Sequence, residues 1–258
     1  RLGYDVRGHG PLVVCLPGMG DLRSQYRFLA PELAGAGYRV ATLDLRGHGD
    51  SDAGFRRHDD VAAGSDLLAL VDELGGGPAV LVGNSMGAGA AAWAAAQAPD
   101  RVAGLVLLGP FVRDIPTGLA VRVLLRLALH RPWGPAAWST IYAKLTAGRP
   151  PADLPAHRGR IRASLRRPGH WRAFVATTRT SHAPVEARLA EVRAPALVVM
   201  GERDPDFPDP AAEAGLVAER LHGEVLLVPD AGHYPHVERP DVVSPAVLRF
   251  LRSVLPGA

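Results

Sequence analysis

Along the first third of the chain, short apolar runs alternate with amphipathic ones. Leu12–Leu16, Arg39–Leu43, Ala79–Val82 and Val102–Leu108 predict strands, and helical periodicity covers Ser24–Ala36, Val61–Leu74 and Met86–Ala98. Gly75-Gly76-Gly77-Pro78 closes the second of these helices, and Pro99-Asp100 stops the third. After residue 193 the alternation resumes. Ala196–Met200 reads as a strand, Ala211–Leu221 as a helix, Glu224–Val228 as a strand and Val242–Val254 as a terminal helix. Weak β character at Gly3–Arg7 adds one strand ahead of the set. Strands alternating with helices predict an α/β fold whose mostly parallel central sheet is flanked by helices.

Residues 111–193 break this rhythm. They hold no convincing strand and read as several short helices with turns at Arg131-Pro132, Arg149-Pro150-Pro151 and Arg167-Pro168-Gly169. Val121, Leu124, Leu125 and Leu129 line one face of a helix whose other face carries Arg122 and Arg126. The expected organisation is a core of residues 1–110 and 194–258 interrupted by a helical insertion at 111–193.

Gly83-Asn84-Ser85-Met86-Gly87 follows the third predicted strand and opens an alanine-rich helix. Small residues at Gly83 and Gly87 permit a sharp strand-to-helix turn that pushes the Ser85 hydroxyl out of the carboxyl edge of the sheet. The helix N-terminus beneath it offers unpaired N–H groups and a positive dipole end, suited to a developing oxyanion. A serine hydroxyl needs a base, and the base needs an orienting carboxylate. Asp204 sits on the loop after the strand Ala196–Met200, three residues past Gly201, with Asp206 as its nearby competitor. His233, after Gly232, sits on the loop before the last helix. The order Ser85, Asp204, His233 puts each group after a different strand, where open α/β sheets bind ligands.

Composition adds limits. With 258 residues, 47% of them hydrophobic, the chain can bury about 70–75% of its unfolded surface without a staple. Cys15 is the only cysteine and lies in an apolar strand, so it reads as a small buried hydrophobe rather than a nucleophile or zinc ligand. No stretch approaches the roughly 20 apolar residues of a membrane span. The formal charge of +3 argues against a nucleic-acid binder, yet it is a cancellation. Residues 111–193 carry 14 Arg and Lys144 against four acidic residues, a net +11, and the rest of the chain is −8. This basic surface predicts either attraction of an anionic substrate or a set of solvated arginines. Gly18-Met19-Gly20 is no dinucleotide fingerprint, because Arg23 stands where its third glycine belongs. There is no Walker pattern and no HExxH, so no cofactor or metal is expected. A cytoplasmic location is the default expectation.

Four local patterns together resemble the α/β-hydrolase superfamily over nearly the whole chain. They are Leu16-Pro17-Gly18-Met19-Gly20-Asp21, Asp44-Leu45-Arg46-Gly47-His48-Gly49-Asp50-Ser51, the Ser85 elbow, and Ala231-Gly232-His233 with Glu238-Arg239-Pro240. The first departs from the family's usual His-Gly, with Pro17 in place of the histidine. The resemblance implies that the backbone N–H groups of Met19 and Met86 form an oxyanion hole, that Arg46, His48 and Ser51 support loop structure, and that 111–193 caps the pocket. Within the cap, Trp133, Trp138, Trp171 and Phe174 are candidates for an apolar pocket, or for the contacts that bury the cap on the sheet. The expected partner is a small-molecule acyl substrate, and the expected reaction is hydrolysis of an ester, lactone or thioester. The elbow Asn84-Ser85-Met86 also resembles that of carbon–carbon bond hydrolases acting on ring-cleavage products, although Tyr234 follows the histidine where those enzymes carry tryptophan. A perhydrolase, or a ligand receptor that retains the triad, are the other readings.

Overall fold

The structure, a computed structural model, describes residues 1–255 apart from Gly76 and Thr117 and apart from the side chains of Leu119, Val121 and Arg122. Seven strands form one sheet: β1 (Tyr4–Arg7), β2 (Leu12–Leu16), β3 (Arg39–Leu43), β4 (Ala79–Asn84), β5 (Val102–Leu108), β6 (Ala196–Gly201) and β7 (Glu224–Val228). Their order is β1-β3-β2-β4-β5-β6-β7, with β1 antiparallel to β3 and the other pairs parallel. Helices α1 (Leu29–Gly35), α2 (Asp60–Glu73) and α3 (Met86–Gln97) connect the first strands. Between β5 and β6 lie α4 (Leu119–Ala128), α5 (Gly134–Leu145), α6 (Leu154–Arg166), α7 (His170–Thr177) and α8 (Ala183–Glu186). Helix α9 (Pro210–Leu221) joins β6 to β7, and α10 (Pro235–Glu238) and α11 (Pro240–Val254) end the chain.

Helices cover both faces of the inner strands, which is why those strands read as unbroken apolar runs. Leu81, Leu105, Leu107 and Val198 pack against Leu67 of α2, the alanines of α3 and Val217 of α9. The alternate residues Val80, Val82, Val106 and Val199 pack against Leu29 and Leu33 of α1 and Val243, Val247 and Leu251 of α11. Each such side chain contributes about 1.5–3 kcal/mol on full burial. Asp59 and Asp209 accept the N–H groups of Ala62 and Ala212, each at 2.9 Å, and so cap α2 and α9. Pairing of Leu16 with Gly83 and of Asn84 with Leu108 aligns the carboxyl ends of β2, β4 and β5 at one edge.

The predicted helix Ser24–Ala36 is instead a 3-10 turn, Arg23–Arg27, followed by α1. Pro31 explains the break, since its ring would clash with the Arg27 carbonyl in a continuous helix and is tolerated in the first turn of α1. The segment between β5 and β6 contains no strand among its described residues, as its pattern predicts. Its inner aromatic and aliphatic groups, Trp138 and Tyr142 of α5, Ile161 and Leu165 of α6, and Trp171 and Phe174 of α7, gather with Tyr234 and Val237 into a third cluster. Helix α4 differs from the rest. Leu124 and Leu125 of its expected apolar face are exposed and only Leu129, one residue beyond its end, is buried, while the side chains of Val121 and Arg122 lie outside the described residues, as does Gly76 of the closing turn. Among the described residues no helix is long and apolar enough to cross a membrane.

Two helical glycines separate packing from propensity. A Cβ at Gly64 would stand 2.6 Å from Trp93 Cε3 and 2.8 Å from Ala90 O, whereas at Gly215 it would meet nothing within 4 Å. In urea denaturation, Gly64→Ala should lower the unfolding free energy by about 1–3 kcal/mol. Gly215→Ala should raise it by up to about 1 kcal/mol.

Candidate active site

Strand β4 ends at Asn84 and α3 begins at Met86, so Ser85 alone makes the turn, with φ 56° and ψ −123°. A non-glycine residue held there costs about 1–3 kcal/mol and persists only where its surroundings enforce it. The enforcement is visible. The Ser85 N–H donates to Leu108 O at 2.9 Å, and the Ser85 carbonyl accepts the N–H groups of Ala88 at 3.0 Å and Phe111 at 3.3 Å. A Cβ at Gly83 would collide with Gly87 O, and one at Gly87 with Leu16 O. The turn is therefore closed to larger residues at both glycines.

The histidine loop is tied to this turn. Asn84 Nδ2 donates to Leu108 O at 2.9 Å and to His233 O at 3.1 Å, while the His233 N–H donates to Leu145 O at 2.9 Å. The His233 ring directs Nδ1 at Asp204 Oδ2, 2.7 Å away, which leaves Nε2 as the free basic nitrogen. Asp206 Oδ2 is 3.6 Å from the same Nδ1. Asp204 is thus the hydrogen-bond acceptor and Asp206 the flanking charge. Burial disfavours the imidazolium, but Asp204 and Asp206 outweigh it and raise the His233 pKa to about 9. Among the described residues Ser85 Oγ makes no hydrogen bond, a common state before substrate tightens such a site.

The loop after β2 brings Gly18 against the serine, where a Cβ would lie 2.8 Å from Ser85 Cβ. Met19 follows it, and among the described residues its N–H donates to no protein acceptor. Met86, as the first residue of α3, has no intrahelical acceptor for its own. The loop is braced by His48, whose Nε2 accepts the Gly20 N–H at 3.0 Å and whose Nδ1 meets Arg46 O at 3.0 Å. Burial pushes the His48 pKa down to about 4, so the ring is neutral, as this acceptor role requires. Arg46 pairs bidentately with Asp66, at 2.6 and 2.7 Å, and Ser51 Oγ donates to Asp44 O at 2.9 Å.

Asp21, quoted in the sequence pattern without a role, turns out to be a hub. It is fully buried, and it accepts from Tyr142 Oη at 2.8 Å and pairs with His157 Nε2 at 2.7 Å, joining the Met19 loop to α5 and α6. Glu238 does the same for the histidine loop, accepting the N–H groups of Gly232 at 3.0 Å and Gly148 at 2.7 Å. The one signal in the sequence for Asp21 is a carboxylate within a short glycine-rich loop, and its partners stand 121 and 136 residues away.

Of the four aromatic pocket candidates, Trp133 does not join the others. It is 55% exposed, with Nε1 donating to Leu127 O at 3.0 Å. Trp138, Trp171 and Phe174 are buried and packed together, with Phe174 4.8 Å from Trp138 and 5.1 Å from Trp171 between ring centroids. Trp138 Nε1 donates to Gly20 O at 2.9 Å, so this cluster rests on the Met19 loop. Phe111, not singled out by sequence, stands edge-on to His233 at 5.9 Å. Asp204, Asp206 and His233 are the one group among the described residues with three potential ligand atoms within 4.8 Å, and the buried Asp204–His233 hydrogen bond already engages two of them. Cys15 is buried in β2, and burial raises its thiol pKa far above the ordinary range.

Comparison with known proteins agrees with this architecture. Residues 13–246 match the family model described as the alpha/beta hydrolase family. The chain is 32% identical to a putative non-heme bromoperoxidase, BpoC, of Mycobacterium tuberculosis over 98% of each chain. It is 28% identical to a 2-hydroxy-6-oxo-6-phenylhexa-2,4-dienoate hydrolase of Burkholderia cepacia, over 97% of this chain and 91% of that one. Among solved structures it resembles a thermophilic esterase from Thermogutta terrifontis with a TM-score of 0.80 and 27% identity, covering 98% of this chain and 94% of the other.

The Asp21 hub generates a stability prediction. Burial raises its pKa, but His157, the Tyr142 hydroxyl and the Leu22 N–H together bring it below the ordinary value. A carboxylate depressed in the folded state stabilises the protein above its unfolded pKa of about 3.9 and loses that contribution as pH falls through the folded value. Asp21→Ala should therefore cost about 3–5 kcal/mol in chemical denaturation at pH 7. The gap from wild type should narrow steadily below about pH 4.

Proposed function

The chain belongs to the alpha/beta hydrolase family, and from that premise we propose a serine hydrolase that cleaves a small or medium-sized carboxylic ester, lactone or thioester. The observation that carries the reading is the buried His233–Asp204 hydrogen bond on a loop tethered through Asn84 to the strained Ser85 turn. His233 Nε2 takes the hydroxyl proton as Ser85 Oγ attacks the carbonyl carbon. Asp204 holds the ring's tautomer and stabilises the imidazolium. The N–H groups of Met19 and Met86 receive the oxyanion, each contributing about 3 kcal/mol at the transition state. His233 then protonates the leaving group, and water deprotonated by the same nitrogen releases the acid from Ser85.

Residues 111–193 act as the cap. Ser85 is 7% exposed and His233 2%, a burial in keeping with a covering cap. Some of the cap's arginines hold structural partners, Arg113 with Glu213, Arg188 with Glu191, and Arg167 with Gly49 O and Asp50, and others are solvent-exposed. This supports solvated and structural cations over a substrate-binding set. For a carboxylate-bearing ester, kcat/KM should accordingly change little between low and physiological ionic strength, whereas a steep fall would assign the charge to substrate capture.

A carbon–carbon bond hydrolase is the second reading, favoured by the Asn84-Ser85-Met86 elbow and by the Burkholderia cepacia relative. Against it, Tyr234 is buried and stacked on Tyr142 at 4.7 Å between centroids, which commits that side chain to packing.

A p-nitrophenyl ester chain-length panel, with a ring-fission dienone added, separates the readings. Ser85→Ala should lower the preferred rate at least about a thousandfold and abolish fluorophosphonate labelling. Equal activity in wild type and variant would remove Ser85 from the reaction. Turnover of the dienone in preference to all esters would favour the second reading. Tight retention of a ligand without turnover would mark a receptor.

A further inference from the structure

Asp206 lies two residues past Asp204 on the loop that leaves β6, and the two are directly connected. The Asp206 N–H donates to Asp204 Oδ1 at 3.0 Å, which fixes the loop so that both carboxylates converge on one nitrogen. Asp204 Oδ2 is 2.7 Å from His233 Nδ1 and Asp206 Oδ2 3.6 Å from it. Asp204 is fully engaged, with one oxygen on the ring and the other on a backbone N–H. Among the described residues the Asp206 carboxylate accepts no hydrogen bond, so the His233 ring is the nearest cation it can pair with. Its side chain is 34% exposed; burial and the neighbouring Asp204 charge raise its pKa, and the attraction of the His233 ring opposes them.

The other groups around the ring do not duplicate this role. Glu238, from α10, is a third carboxylate near His233, but its oxygens are taken by the N–H groups of Gly232, Tyr234 and Gly148. Phe111 presents a ring edge, and Tyr234, whose pKa burial raises well above its ordinary value, is a neutral phenol.

We propose that Asp206 is a positioning residue for His233, a second carboxylate on Nδ1 that stabilises the imidazolium beside Asp204 and accepts the Nδ1–H hydrogen bond when Asp204 is lost. The proposal rests on the serine-hydrolase reading above. Two negative charges on Nδ1 keep the ring protonated to higher pH than one, in keeping with the rise of the His233 pKa to about 9. The free base therefore accumulates only as the solution turns alkaline. Removing the Asp206 charge without changing its shape must move that transition toward acid.

The test is the rate of inactivation by a fluorophosphonate from pH 5 to 10, which needs no knowledge of the natural substrate. Ser85 Oγ forms the bond to phosphorus, fluoride leaves, and His233 takes the hydroxyl proton. Four proteins are compared, namely wild type, Asp206→Asn, Asp204→Asn and the double variant, with Ser85→Ala as control. For Asp206→Asn the midpoint of the rising limb should fall by at least about half a pH unit. Asp204→Asn should react at least about tenfold faster than the double variant. A His233 ring-proton titration in the Ser85→Ala background should show the same acid shift in Asp206→Asn without any reaction at the serine. An Asp206→Asn midpoint that superimposes on wild type overturns the proposal, as does an Asp204→Asn rate equal to that of the double variant. Labelling of Ser85→Ala as fast as wild type overturns the serine reading instead, so the two failures are distinct.

Discussion

Much of the molecule follows from one backbone constraint, the positive φ of Ser85 between a central strand and a buried helix. The turn demands that β4 and α3 meet almost without a linker, so residues on both sides must be small. Gly83 and Gly87 answer that demand at the turn, and the alanines of α3 answer it along the helix, letting it lie close against the sheet and against α2. The strain is offset by hydrogen bonds to β5 and the segment after it, which means the serine is only as well placed as the sheet is intact. Stability of the core and geometry of the site are therefore the same problem in this chain.

A second layer of polar contacts ties the helices of 111–193 to the two loops that flank the serine. Asp21 joins the Met19 loop to Tyr142 and His157, and Glu238 joins the histidine loop to Gly148. Buried carboxylates are expensive unless each oxygen is satisfied, and here every oxygen of Asp21 and Glu238 has a donor. Through these bonds Asp21, three residues from Gly18, ties the Met19 loop directly to α5 and α6.

The strands were readable because a parallel sheet covered on both faces leaves a continuous apolar run, and the inner strands agree with that pattern to within two residues. The elbow was readable because its chemistry is local: glycine, serine and glycine at fixed spacing between a strand and a helix. Asp204 and His233 were readable as loop residues after strands, and the geometry joins them. What escaped was long-range. Nothing near Asp21 in sequence announces Tyr142 or His157, and a proline three residues into α1 split a helix whose apolar spacing looked continuous. Trp133 escaped for the opposite reason, since a tryptophan in a helical segment gives no sign of whether it turns inward or out.

The single sulfhydryl of Cys15 gives this protein an internal clock. It sits near the end of β2, in a strand flanked by β3 and β4, with no exposed surface and a strong preference for its protonated form. Thiolate is the species that alkylating reagents capture, and neither water nor reagent reaches it until the middle of the sheet parts. Its modification rate in native buffer thus counts the openings of the parallel core itself.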